Sequence, residues 1–140
     1  NMDMFMPLHE LKAVTMLGIE ESTLGDYARE MAGEFGLPVI PDPIPEQNRF
    51  TRSDQYSFIR EGIPALAFKF GYEKGSEEEK IQTEWLKTRY HAVSDDLAQP
   101  VNKEAAARFT EFLTALVRKT ANEKKRPEWK QSSFFRRFGR

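Results

Sequence analysis

Apolar positions along the chain fall into two distinct periods. Leu11 to Glu20, LKAVTMLGIE, is mostly apolar and rich in strand-compatible residues, which predicts a buried strand. The period then changes. Leu24, Tyr27, Ala28, Met31, Ala32 and Phe35 recur at helical spacing and form one apolar stripe. Ser22 and Thr23 are candidate caps, and Thr23-x-x-Asp26 resembles a capping box. Gly36 suits a left-handed C-cap, and Pro38 prevents the helix from resuming. Pro38 to Ile40 is a short strand candidate, and the proline-rich PDPIPEQNRF that follows is a loop. Ser53 or Asp54 is placed to cap a short helix carrying Tyr56, Phe58 and Ile59, closed by Gly62. Ile63 to Phe70 reads as a core strand. Gly71 to Trp85, acidic at Glu77, Glu78 and Glu79, reads as a surface loop or lid. Asn102 caps a last long helix with Ala105, Ala106, Phe109, Phe112, Leu113, Leu116 and Val117 on its inward face. Strands alternating with helices predict an α/β layered fold with a largely parallel sheet. In such sheets the chemistry gathers at the carboxyl ends of strands.

Composition narrows the function. The 140 residues contain no cysteine, which excludes a disulfide framework, thiolate-bound zinc and a thiol nucleophile. Two histidines, His9 and His91, exclude an all-histidine metal cage. No apolar run approaches the roughly 20 residues that span a bilayer. The net charge of -1 hides an asymmetry: residues 118–140 carry +7 and residues 1–117 carry -8. A basic tail reads either as a nucleic-acid or membrane arm, or as an extension that docks on its own acidic body. Docking is the expectation, because an acidic body repels phosphate at range. Trp129, Phe134, Phe135 and Phe138 also give the tail aromatic surface to bury. No nucleic-acid partner is therefore expected.

Three polar spots border the predicted strands and loops: Asp3, the Ser53-Asp54-Gln55 turn, and Tyr90-His91 with Asp95. Each has an ordinary structural reading. Asp3 suits a turn, Ser53-Asp54 suits a helix cap, and His91 suits an exposed loop. The chemical alternative for His91 is metal ligation, with its second N–H given to a carboxylate such as Asp95. His9 reads as a partly exposed loop residue.

At these residues the chain resembles the carboxyl-terminal half of a zinc-dependent aminopeptidase of the M28 type. The resembling segments are NMDM, GIEESTLGDYA, PDPIPEQNRFTRSDQYSFIREGIPAL, KTRYHAVSDDLAQPV and NKEAAARF, across most of residues 1–117, and the RPEWK tail fits some members. The resemblance implies a three-layer α/β sandwich with a mostly parallel central sheet, incomplete in this chain. Residues 1–117 would be the latter part of that domain and residues 118–140 a basic, aromatic-containing tail. It also implies a two-zinc site that cleaves amino-terminal residues from peptides with metal-activated water. By position, Asp3 matches a terminal ligand of one zinc and His91 a terminal ligand of the other. Tyr90 matches a residue that hydrogen-bonds the tetrahedral intermediate. Asp54 falls near the substrate pocket, and Asp95 would orient His91 from behind.

The family's His-x-Asp pair and Glu-Glu pair have no counterpart here. His9 is followed by Glu10 and Leu11, and Glu20-Glu21 precedes a helix cap, where acidic residues suit the helix dipole. One ligand per ion does not make a tight zinc site. The expectation is thus an enzyme fragment, inactive alone, whose missing amino-terminal half supplies the other ligands. Two relatives of this reading stay open: a glutaminyl cyclase-like enzyme, and a receptor-like interaction domain that has lost its metal. The resemblance also implies export to the periplasm or cell exterior, and homo-oligomerisation stays open.

Overall fold

A computed structural model describes residues 1–139. Strand β1, Val14–Leu17, is buried at all four positions and pairs antiparallel with β2, Ala67–Phe70. The register sets Val14 opposite Phe70, Thr15 opposite Lys69, Met16 opposite Phe68 and Leu17 opposite Ala67. Side chains alternate across a sheet, so this register sorts them into two faces. Val14, Met16, Phe68 and Phe70 belong to the hydrophobic core. Thr15, Leu17, Ala67 and Lys69 line a cavity on the opposite side.

Two helices cover the core face. Helix α1, Thr23–Glu34, buries Ala28, Met31 and Ala32, and ends as expected with Gly36 at φ 62°. The short helix α2, Gln55–Arg60, ends at Gly62 with φ 82°. Helix α3 spans Glu77–Thr88, and helix α4 spans Lys103–Asn122. The Asn102 carboxamide accepts the Ala105 N–H at 2.9 Å and caps α4. Helix α4 lays Ala105, Phe109, Phe112 and Leu116 into the core. Their aromatic rings close against β2 and against Phe35 at the end of α1. Phe70 lies 5.1 Å from Phe109, Phe68 6.0 Å from Phe112, and Phe35 5.8 Å from Phe112. Val117 departs from the expected inward face and is 66% exposed.

The expected mostly parallel central sheet of a three-layer sandwich is not formed. Among the described residues the sheet has two strands, paired antiparallel. Three local causes account for this. Pro38, Pro41 and Pro43 lack the N–H that a third strand needs, so Pro38 to Ile40 contributes one isolated parallel bridge, Val14 to Val39. Asn1 begins a run beside β2, its amino group donating to the Leu66 carbonyl at 2.7 Å and its carbonyl accepting the Phe68 N–H at 2.9 Å. Met4 and Met6 then adopt left-handed φ values of 51° and 47°, which end any extended run. Between Val39 and Ala67 the chain turns through 3-10 segments Pro45–Gln47 and Arg49–Thr51 and then α2, and returns with its direction reversed. Alternation of strand and helix implies parallel pairing only when each connection is a simple crossover.

Helix α3 is a second correction, since Gly71 to Trp85 was expected as a loop or lid. Ser76 caps α3, its hydroxyl accepting the Glu79 N–H at 3.2 Å, while the Glu79 carboxylate accepts the Gly75 N–H at 2.6 Å. The acidic triplet Glu77 to Glu79 occupies the positive first turn. In α1, by contrast, no side chain makes the expected cap. The Thr23 hydroxyl instead accepts the Glu128 N–H at 2.9 Å.

That contact belongs to the docked tail. Lys130 N–H donates to the Glu21 carbonyl at 2.9 Å, and the Ser133 hydroxyl donates to the Glu21 carboxylate at 2.5 Å. The Trp129 indole donates to the Gly62 carbonyl at 2.9 Å, and Phe135 packs edge-on against Phe50 at 5.3 Å. A Cβ on Gly62 would meet the Phe138 carbonyl at 2.6 Å, so the approach requires glycine there. Lys130 also pairs with Asp26 at 2.6 Å. The tail thus spends part of its positive charge on the acidic body.

Candidate functional site

The outward face of the sheet forms the floor of a cavity of about 390 Å3. Residues 1–6 and the loop from Pro43 to Ser53 provide two sides, and Tyr72, Gln82, Leu86 and Tyr90 provide the rest. Asp3 lies on this cavity and is held from several directions. Its N–H donates to the Asn1 side-chain oxygen at 2.9 Å, and its carbonyl accepts from Lys69 Nζ at 2.5 Å. Its carboxylate accepts the Ser53 hydroxyl at 3.3 Å. The Asn1 carboxamide in turn donates to Ser53 Oγ at 3.0 Å and to Gln55 Oε1 at 2.7 Å. Gln55 is buried and closes the network by donating to the Phe50 carbonyl at 2.7 Å. Hydrogen bonds between residues far apart in sequence therefore fix the Asp3 backbone and orient its carboxylate.

Tyr90 lies on the same cavity as Asp3. It follows α3, with its N–H donating to the Trp85 carbonyl at 3.2 Å and its ring 5.9 Å from that of Trp85. His91 stacks on Tyr90 at 3.8 Å between ring centroids. It is exposed, takes a left-handed φ of 57°, and does not line the cavity. Asp95 accepts from Gln99 Nε2 at 2.9 Å, and among the described residues no hydrogen bond joins it to His91. Asp54 occupies the N-cap position of α2 without a side-chain cap bond, is exposed, and lies off the cavity that its neighbour Ser53 lines. Of the expected site residues, the fold thus brings Asp3 and Tyr90 to one cavity, sets His91 against Tyr90, and leaves Asp54 and Asp95 apart from it.

His9 is a further correction. It is buried, with Nδ1 2.8 Å from the Glu10 carbonyl and Nε2 3.0 Å from the Gln82 amide nitrogen. A carbonyl only accepts, so Nδ1 carries the proton and Nε2 accepts from Gln82. The ring packs edge-on against Phe70 at 5.5 Å. His9 therefore ties α3 to the segment before β1. The Glu20-Glu21 pair takes the structural role read from the sequence: Glu20 pairs with Arg29 at 2.5 Å, and Glu21 receives the tail.

Several cavity residues were not anticipated: Thr15, Arg49, Arg52, Lys69 and Tyr72. A signal for two of them was present. Thr15 and Lys69 are the polar residues within otherwise apolar strands, so alternation alone directs them away from the core. Burial lowers the Lys69 pKa, with Asp3 opposing and Arg49 reinforcing the shift. Burial likewise raises the Tyr72 pKa above the usual tyrosine value. Arg49 pairs with Asp42, which does not line the cavity.

These residues do not fit a complete zinc centre. Among the described residues no group of three or more histidine, aspartate or glutamate side chains is placed to hold a metal ion. A catalytic zinc takes about three protein ligands. Neither a curated protein nor a solved structure matches the chain. The model of peptidase family M28 matches residues 1–117, which takes in the cavity and all three of the polar spots, and the chain belongs to that family.

Proposed function

We propose that the chain is part of a zinc-dependent exopeptidase that acts on the amino termini of peptides. Family membership supports the peptidase class. The observation that carries the finer reading is the meeting of Asp3 and Tyr90, far apart in the sequence, on one cavity. In this reading Asp3 and His91 each contribute one ligand to a set whose other members lie outside these residues. Tyr90, which lines the cavity, donates a hydrogen bond to developing negative charge on the substrate. Asp54 and Asp95 take outer roles, near the substrate and behind His91. The isolated chain has too few donors for a tight metal site and is inactive alone. The resemblance, in which many members are exported, keeps a periplasmic or secreted location within the proposal.

The test is made in a protein that joins this chain to an upstream segment bearing a His-x-Asp and a Glu-Glu pair. There, His91→Ala removes one zinc per subunit and abolishes aminopeptidase turnover. Unchanged zinc content in that variant contradicts the ligand assignment. Full turnover with Asp3 and His91 both replaced contradicts the metallopeptidase reading itself.

A further inference from the structure

The cavity has an unbalanced lining. Arg49, Arg52 and Lys69 are on it, and the lining carboxylate opposite them is Asp3. Its floor carries an unmet demand. Thr15 is 2% exposed, and its hydroxyl has no hydrogen-bond partner. The Arg49 Nε is also buried without a partner, although its guanidinium pairs with Asp42 at another nitrogen. Buried polar groups are nearly always satisfied, so an orphaned hydroxyl and an orphaned guanidinium nitrogen on two residues lining one cavity mark a place prepared for a partner.

The partner must accept hydrogen bonds. Arginine and lysine are donors without acceptor capacity, and a threonine hydroxyl donates as readily as it accepts. A carboxylate offers two acceptor oxygens and the complementary charge, and it matches the guanidinium fork. A neutral amide side chain has one acceptor and brings donors into a site already rich in them. An apolar side chain leaves both orphans unsatisfied.

We propose that this cavity is a carboxylate-binding subsite, with Thr15, Arg49 and Arg52 as its recognition groups. The carboxylate belongs to a peptide, either as an acidic side chain or as the free carboxyl terminus of a very short one. The word peptide rests on the exopeptidase reading; the preference for a carboxylate rests on the cavity alone.

Three probes separate the outcomes: leucyl-glycinamide, which has no carboxylate; glutamyl-glycinamide, which has one on the side chain; and leucyl-glycine, which has one at the terminus. Their binding to the 140-residue chain is followed by amide chemical-shift titration, which needs no turnover. At least one carboxylate probe should bind about tenfold or more tightly than leucyl-glycinamide, and whichever gains identifies the source. Arg52→Gln, an exposed position that leaves the fold intact, should abolish the difference, as should Thr15→Val. Equal binding of all three probes, no binding of any at about 10 mM, or a preference that survives Arg52→Gln overturns the subsite. Absence of hydrolysis in the metal-complete protein would count against the exopeptidase reading and leave this binding result unaffected.

Discussion

The two sides of the cavity are held in different ways. On the Asp3 side, the fastening bonds span long stretches of sequence: Asn1 to Gln55, Ser53 to Asp3 and Lys69 to Asp3. The tail reinforces that side from outside. Trp129 bonds Gly62, and Phe135 braces Phe50, whose ring in turn occupies the space that a Cβ on Gly18 would need. On the Tyr90 side, the bonds are local. Arg89 reaches the Ser94 and Ala98 carbonyls at 3.3 Å, Gln99 reaches Asp95, and Trp85 donates to Gln99 at 2.7 Å. Val93 and Leu97 in this loop are fully exposed, at 102% and 106%. The two residues proposed as ligands of one site thus have unequal support. Asp3 is placed by the tertiary fold, whereas His91 is placed by a loop that closes on itself. A precisely held constellation needs side chains locked by packing and hydrogen bonds behind them. The Asp3 side has that support within this chain; among the described residues the His91 side does not.

The largest test of this contrast is Trp129→Ala. The indole is half-buried and ties the tail to α2, so its loss should cost about 2–4 kcal/mol, read from denaturant unfolding. It should also speed amide exchange in residues 42–53 while leaving residues 89–101 unchanged. Equal acceleration in both segments would erase the distinction between the two sides.

His9→Ala removes the link between the Gln82 amide on α3 and the Glu10 carbonyl. It leaves a cavity against Phe70 and an unmet buried donor on Gln82. A loss of about 1–3 kcal/mol is expected, with the loop that follows α3 loosening as well. A neutral outcome would mean that α3 is held elsewhere.

A smaller effect comes from the ion pair at the start of α3. The hydrogen bond from Lys12, reinforced by the backbone N–H of the helix turn, holds the Glu78 carboxyl down to about 2 from an unperturbed 4.5. A carboxyl with a depressed native pKa stabilises the fold above its unfolded value. That contribution falls away as pH drops from 4.5 toward 2. The Tm difference between the native chain and Glu78→Gln should therefore be positive at neutral pH and shrink across that window. A difference independent of pH would contradict the pairing. Smallest of all, Val93→Ser and Leu97→Ser should each stay within about 0.5 kcal/mol of the native stability, because neither side chain is packed. A larger loss would show that the loop is fastened on this side after all.

Periodicity in the sequence was sufficient for some elements and insufficient for others, for identifiable reasons. The stripes of α1 and α4 and the glycines that end α1 and α2 are short-range signals, and they fall where the spacing places them. Helix α3 was hidden by its polarity: among its residues only Gln82 is buried, so no apolar stripe announces it. The Ser76-x-x-Glu79 cap was the readable sign, and the acidic run drew attention to solvent instead. Sheet direction depends on how connections fold in three dimensions, and no local pattern encodes the reversal between Val39 and Ala67. For the site, family resemblance singled out the segments around Asp3 and Tyr90-His91, and the fold sets Asp3 and Tyr90 on one cavity. Thr15 and Lys69 needed the strand alternation to be read outward as well as inward. The burial of His9 depends on Gln82, 73 residues away, which local sequence does not reveal.

That this member of peptidase family M28 carries only part of a metal site is the proposal on which the rest depends. Its most direct test is zinc content and aminopeptidase turnover of the purified 140-residue chain after exposure to zinc and gel filtration. The expected result is no zinc retained in stoichiometric amount and no hydrolysis of an amino-terminal leucyl substrate. One or two zinc ions retained per chain, with turnover that His91→Ala abolishes, would contradict it.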